Sequence, residues 1–186
     1  MADLFIDLLV GVHVRAQMPS EDFAEPVFEV CDHIIGGAWI VDAVPGAEAA
    51  HIGLVIAVEN GLIVPVFHGV ERLGLAELAR RRIDIVERAL KGKLKREELE
   101  GATFSLSNLG AHGPDRFNAL INPPQSAILA VGRQRDCVVA INGGIHVRPM
   151  SQLTLTVDHR IADGRLASDF LASMVDILEG DSWRLN

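Results

Sequence analysis

The chain of 186 residues has little cysteine, few aromatic residues and no long hydrophobic run. Two cysteines are too few for a disulfide framework, which fits a reducing compartment. No run of about 18 apolar residues is present, and the N-terminus lacks a basic segment followed by a cleavage site, so neither a membrane span nor an export signal is expected. We therefore expect a cytoplasmic protein, or one of the mitochondrial matrix if the source is eukaryotic.

The sequence also lacks the spacings that hold metal ions and the positive charge that binds nucleic acids. Its seven histidines are scattered, and it contains neither a His-x-x-x-His nor a Cys-x-x-Cys pattern, so no metal site is expected. The formal net charge is −8, whereas proteins that bind nucleic acids present basic faces. The composition argues against a nucleic-acid partner.

Aliphatic residues are abundant. Hydrophobic residues make up 49% of the chain and aromatic residues only 5%, so Val, Leu, Ile and Ala must fill the core. No internal repeat or low-complexity linker occurs, and we expect one domain over residues 1–186. Strand clusters with helices set apart predict an α+β fold, a two-layer sandwich of a mixed β-sheet covered by helices. Strands are predicted near 52–58, 62–67, 103–107, 127–132, 137–141 and 145–157, and helices near 75–91 and 164–179.

The most informative segment is Asp158–Gly164. The residues before it, 152–157, alternate apolar and polar side chains and predict a strand, and the residues after it carry one apolar stripe of a helix. His159 therefore lies where the strand stops and Asp163 where the helix begins, a kind of position that often holds catalytic groups. Taken alone, a half-buried polar histidine and an ordinary helix N-cap explain the two residues better.

A second polar strand end lies upstream of this junction. Residues 101–110 read Gly-Ala-Thr-Phe-Ser-Leu-Ser-Asn-Leu-Gly, an alternating strand that ends on a hydroxyl, an amide and a glycine. Residues 119–132 then combine an apolar run, a Pro-Pro break and another buried strand. The chain thus contains two strand ends with side chains suited to chemistry.

Segments 103–110, 121–132 and 158–164, in this order, resemble the catalytic domain of the dihydrolipoamide acyltransferases of 2-oxo acid dehydrogenase complexes, relatives of chloramphenicol acetyltransferase. The resemblance covers about residues 51–180, while 1–50 are divergent or truncated, and no lipoyl or peripheral-subunit-binding domain is recognisable. It implies a chloramphenicol acetyltransferase-like fold. It also implies an enzyme that moves an acyl group between a dihydrolipoyl thiol and coenzyme A, both of which are substrates.

The resemblance also implies roles for three residues. His159 matches the general base, Ser107 the hydroxyl that stabilises the oxyanion, and Asp163 a carboxylate that fixes the active-site loop by pairing with an arginine from the N-terminal part. Arg15 is the only arginine in residues 1–50 and does not match the family's position, so the partner of Asp163 stays open. No residue is assigned to coenzyme A.

The implied assembly is a homotrimer, or a larger assembly of trimers, in which histidine and serine come from neighbouring chains. The lipoyl domain would be carried by another chain or by a segment outside this sequence. Two alternatives stay open: a catalytically silent trimeric scaffold, and a coenzyme A-dependent acyltransferase with an alcohol or amine acceptor. Basic residues at Arg80–Arg82 and at 91–96 are expected to be a solvated helix face and a helix C-terminus.

Overall fold

The structure is a computed structural model that describes residues 9–17 and 49–180. Within these residues the chain forms nine strands and two α-helices. The strands are β1 (Leu9–Gln17), β2 (His51–Leu54), β3 (Ile56–Val58), β4 (Gly61–Ile63), β5 (Val66–His68), β6 (Phe104–Asn108), β7 (Ala127–Val131), β8 (Arg135–Ile141) and β9 (Gly144–Asp158), and the helices are α1 (Leu75–Leu90) and α2 (Gly164–Glu179).

Both helices lie where the apolar periodicity predicts them. α1 gives way to Gly92, whose φ of 63° is left-handed and therefore suits glycine at a helix end. α2 begins after Asp163, whose side chain caps it. Five side chains of α2 are buried, at the spacing that a single helix face requires: Ala167, Phe170, Leu171, Met174 and Leu178.

Seven of the described strands form one mixed sheet in the order β1-β9-β7-β6-β2-β5, with β8 pairing to β9 outside this order. β6 runs parallel to both β2 and β7, and the other pairs in the sheet are antiparallel. β9 is long enough to serve two partners on one side: its later residues pair with β7 and its first residues form a hairpin with β8. Asn142 and Gly143 take positive φ values of 51° and 79° in the turn of that hairpin, as a type I′ turn requires.

The strands predicted over 52–58 and 62–67 are each divided in two by the structure. β2 and β5 pair within the main sheet, whereas β3 and β4 form a separate two-stranded ribbon. At the division the Val55 N–H donates to the Leu106 carbonyl of β6, 2.9 Å away. On the opposite strand Pro65 has no N–H to donate, so the antiparallel ladder stops there.

The two faces of the sheet differ because successive side chains of a strand alternate between them. One face carries fully buried apolar residues such as Phe104, Leu129 and Leu155, which join the buried residues of α1 and α2 in one core. The opposite face carries buried hydroxyl groups, including Ser105 and Thr154. The predicted α+β fold with helices on a mixed sheet is confirmed.

Candidate active site

Ser107 lies at the C-terminal ends of the parallel strands β2, β6 and β7. It is 7% exposed and lines a cleft of about 660 Å³, a volume within the usual range for small-molecule sites. Apolar residues of β2, β3 and β4 form one wall, and α1 contributes Arg82 and Val86. The remaining lining residues are Val55, Asn108, Leu109, Gly110, Ala111, His112, Arg133 and Gln134.

The loop that follows Ser107 is fastened to the end of β7. The Leu109 N–H donates to the Val131 carbonyl at 3.2 Å, and the Arg133 N–H donates to the Pro114 carbonyl at 2.8 Å. The Asp115 carboxylate adds ion pairs to Arg133 at 2.7 Å and to Arg135 at 2.9 Å. These contacts fix the cleft wall that follows the serine.

His159 lies at the other end of the sheet, in the turn between β9 and α2, and its side chain is exposed. The chain reverses there because the Asp158 carbonyl accepts the N–H groups of Ile161 at 2.9 Å and Ala162 at 3.1 Å. Within the described part of the chain His159 makes no hydrogen bond or ion pair of its own. Its ring is therefore available to a substrate or to another subunit.

Asp163 caps α2, since its Oδ1 accepts the Leu166 N–H at 2.8 Å. The backbone register pairs Arg15 with Gln152, six residues before Asp158 on β9. At about 3.3 Å per residue this separation is about 20 Å. Arg15 of the same chain is therefore not the arginine that would pair with Asp163.

Asp158 is a loop-fixing residue that the sequence analysis did not single out. Its carboxylate is buried, and Arg160 donates to it from the backbone N–H at 3.0 Å and from Nε at 2.9 Å, with a further bond from Nη2. These hydrogen bonds hold the pKa of the Asp158 carboxyl below its usual range. An Asp whose carboxylate bonds the backbone two residues later is an Asx-turn, and the Asp-His-Arg order is a signal for it.

Arg82 corrects one expectation about the basic residues of α1. Arg80 and Arg81 lie on the surface and pair with Glu77, as a solvated helix face predicts. Arg82 is instead half-buried and lines the cleft beside Ser107. The signal was its spacing, because Arg82 follows Leu78 by four residues and so falls on the apolar stripe of the helix.

The structure does not bring Ser107 and His159 together within one chain. Ser107 is level with Ala130 of β7, which is level with Thr154 of β9. His159 lies five residues beyond Thr154, and β9 is two strands away from β6. At about 3.3 Å per residue and about 4.8 Å per strand, the two residues are on the order of 20 Å apart. The two predicted site residues therefore lie at opposite ends of the sheet in one chain.

The described residues contain no group of three or more histidine, cysteine, aspartate or glutamate side chains that could hold a metal ion. Neither of the two helices is long and apolar enough to cross a membrane.

Comparison with known proteins identifies the class of this domain. Residues 39–185 match the family model of the 2-oxoacid dehydrogenases acyltransferase catalytic domain. The chain belongs to this family. Its fold is also that of a solved chloramphenicol acetyltransferase, with a TM-score of 0.54 at 15% identity over 92% of this chain and 88% of that one. The predicted chloramphenicol acetyltransferase-like fold is thus confirmed.

Two relatives show how similar the sequences are. The chain is 41% identical over 148 residues to the dihydrolipoyllysine-residue acetyltransferase component of the mitochondrial pyruvate dehydrogenase complex of Schizosaccharomyces pombe, covering 78% of this chain and 31% of the relative. It is 40% identical over 128 residues to the succinyltransferase component of the 2-oxoglutarate dehydrogenase complex of Rickettsia bellii, covering 69% of this chain and 32% of the relative. The chain spans about a third of the length of these relatives.

Solved structures agree with this assignment. A probable dihydrolipoamide acetyltransferase from Listeria monocytogenes has a TM-score of 0.85 at 26% identity, over 92% of this chain and 84% of that one. The Azotobacter vinelandii dihydrolipoamide acetyltransferase has a TM-score of 0.85 at 24% identity, over 95% and 84%. That enzyme was studied for the role of a serine, a histidine and an asparagine in its catalytic mechanism. The histidine follows the serine by 52 residues, and the asparagine follows the histidine by four.

Proposed function

We propose that this chain is the catalytic domain of a dihydrolipoamide acyltransferase, the core component of a 2-oxo acid dehydrogenase complex. The observation that carries the proposal is a shared spacing. Ser107, His159 and Asp163 are separated by 52 and by four residues, the intervals of the three residues studied in the Azotobacter vinelandii enzyme. By this spacing Asp163 corresponds to the asparagine of that enzyme, and both residue types can cap a helix.

In the proposed reaction His159 acts as a general base. The acceptor thiol passes its proton to the imidazole while its sulfur bonds to the thioester carbonyl carbon. The tetrahedral intermediate then breaks its bond to the other sulfur, which takes the proton back from His159. Complete transfer of a proton from a thiol of pKa about 8.5 to an imidazole of pKa about 6.5 costs only about 2.7 kcal/mol, so a neutral histidine is a sufficient base.

Ser107 supplies the hydrogen bond that the reaction needs at its other charged atom. Negative charge develops on the thioester oxygen in the intermediate, and one well-placed donor stabilises such an oxyanion by about 3 kcal/mol. The Ser107 hydroxyl is suited to this because it is nearly buried at the wall of the cleft, where water competes weakly. In this proposal the acyl thioester occupies the cleft.

The distance between Ser107 and His159 supports an active site that is shared between chains. We propose a homotrimer in which His159 of one chain faces the Ser107 cleft of its neighbour, and such trimers can assemble further. Coenzyme A is one substrate, and a lipoyl domain on another chain or on a further segment of the same protein is the other. Acetyltransferase and succinyltransferase relatives are equally similar, at 41% and 40% identity, so the acyl group is left open.

The test is acetyl transfer from acetyl-coenzyme A to dihydrolipoamide. Ser107→Ala should lower kcat by about 10²-fold to 10³-fold with little change in KM, and His159→Ala should abolish turnover. Loss confined to KM would reassign Ser107 to binding. An oligomeric wild-type preparation that transfers neither acetyl nor succinyl groups to dihydrolipoamide would contradict the proposed enzyme and favour a silent scaffold.

Sharing of the site has its own test. When Ser107→Ala and His159→Ala chains are co-expressed, mixed trimers should regain up to about a quarter of wild-type activity, because some interfaces then join an intact serine to an intact histidine. The control pairs His159→Ala with the doubly substituted chain, which offers no histidine and should stay inactive. Mixed Ser107→Ala and His159→Ala trimers without activity would contradict a site shared between chains.

A further inference from the structure

We propose that the ion pair between Asp158 and Arg160 is a positioning device for His159, fixing the turn that carries the imidazole. The inference rests on the proposed role of His159 as the base. Asp158 and Arg160 flank the histidine in sequence, and neither is assigned to substrate. They are positioning residues in this proposal.

The hydrogen bonds of Asp158 support this positioning role. Every backbone polar group of Asp158 is bonded: its N–H donates to the Ser126 carbonyl at 2.9 Å, and its carbonyl accepts two N–H groups of the turn. Its carboxylate binds both the backbone and the guanidinium of Arg160. The residues on both sides of His159 are thus held by one carboxylate, which leaves the imidazole at the exposed apex.

Burial shows what each partner contributes. Asp158 is 4% exposed, while the Arg160 side chain is 57% exposed, so the pair joins a buried anion to a cation at the surface. Removal of Arg160 takes the guanidinium hydrogen bonds from a buried carboxylate and so loosens the turn on which His159 lies.

The experiment measures the kinetics of acetyl transfer by variants of the full chain. Arg160→Gln and Asp158→Asn should each lower kcat about tenfold with KM near the wild-type value. Arg160→Lys keeps the charge but loses the planar fork, so it should restore only part of kcat.

Arg165→Gln is the matched control. Arg165 lies five residues further on and pairs with Asp169 at 3.8 Å, and both side chains are largely exposed. Its removal should change kcat less than twofold. If Asp158→Asn does not fold, Arg160→Gln and Arg160→Lys carry the test, because the Arg160 side chain is more than half exposed.

Two results would overturn the proposal: an unchanged kcat in Arg160→Gln, or a loss in Arg160→Gln that lies in KM alone. The failure of the proposed function looks different, because His159→Ala would then keep its activity.

Discussion

Substitution of Gly132 by alanine should destabilise the wall of the Ser107 cleft, because the added Cβ has no room there. A Cβ added at Gly132 would lie 2.0 Å from the Asp115 carbonyl oxygen and 2.7 Å from its carbonyl carbon. Ordinary contacts of this kind are about 3.5 Å, so the Asp115 backbone must move by more than 1 Å. That backbone is held by the Arg133 N–H bond to Pro114 and by ion pairs of the Asp115 side chain.

The cost follows from these contacts. Overpacking at a site that cannot move costs about 1–3 kcal/mol, and each hydrogen bond that must lengthen adds about 1 kcal/mol. We expect a loss of about 3 kcal/mol in the free energy of unfolding, which corresponds to a fall in Tm of about 6–12 °C for a domain of this size. Urea unfolding and a thermal scan measure the two quantities.

Gly74→Ala is the control for the general effect of replacing glycine. Gly74 precedes α1 with a φ of −77°, and a Cβ there would meet nothing within 4 Å. The unfolding free energy of the Gly74→Ala protein should stay within about 1 kcal/mol of wild type. A Gly132→Ala protein whose Tm lies within about 2 °C of wild type and of Gly74→Ala would refute the reasoning, since the Asp115 loop would then yield freely.

Two further predictions concern stability. Asp163→Ala should lower the unfolding free energy by about 1 kcal/mol because the cap of α2 is lost, whereas Asp163→Asn should keep it; equal losses in urea unfolding would show that the cap is not what Asp163 contributes. Glu98 binds Arg88 through two hydrogen bonds of 2.6 Å, which lower the pKa of Glu98 to about 2. Because this pKa is depressed in the folded state, its stabilisation is complete above about pH 4.5 and is lost as the pH falls towards 2. Glu98→Gln should flatten that part of the curve of unfolding free energy against pH, and an unchanged slope would contradict the assignment.

Local sequence patterns predicted both helices, whereas they do not determine which strands pair with each other. α1 and α2 follow from apolar periodicity and from end signals such as Asp163 and Gly92, all of which act within a few residues. The division of the strands predicted over 52–58 and 62–67 depends on the bond from Val55 to Leu106, a partner about 50 residues away. A pattern confined to residues 52–67 contains no information about that partner.

The candidate site shows the same limit. Ser107 and His159 are chosen from sequence because their segments resemble the catalytic domain of the family, whereas the local pattern alone favours an ordinary half-buried histidine. Their separation follows only from the register of β6, β7 and β9, which the residue types do not specify. Arg82 was misassigned because it follows two surface arginines, although its helical position already placed it on the buried stripe.

The cleft and His159 lie at opposite ends of the strands in the main sheet, and this has a consequence for sequence divergence. Substitutions at distances of this order contribute nearly independently to the free energy of a protein. Within one chain, residues around the cleft such as Leu62 and Arg82 can therefore vary with little effect on the stability of the β9 turn. Sequence change at one end of the sheet is thus tolerated by the fold at the other.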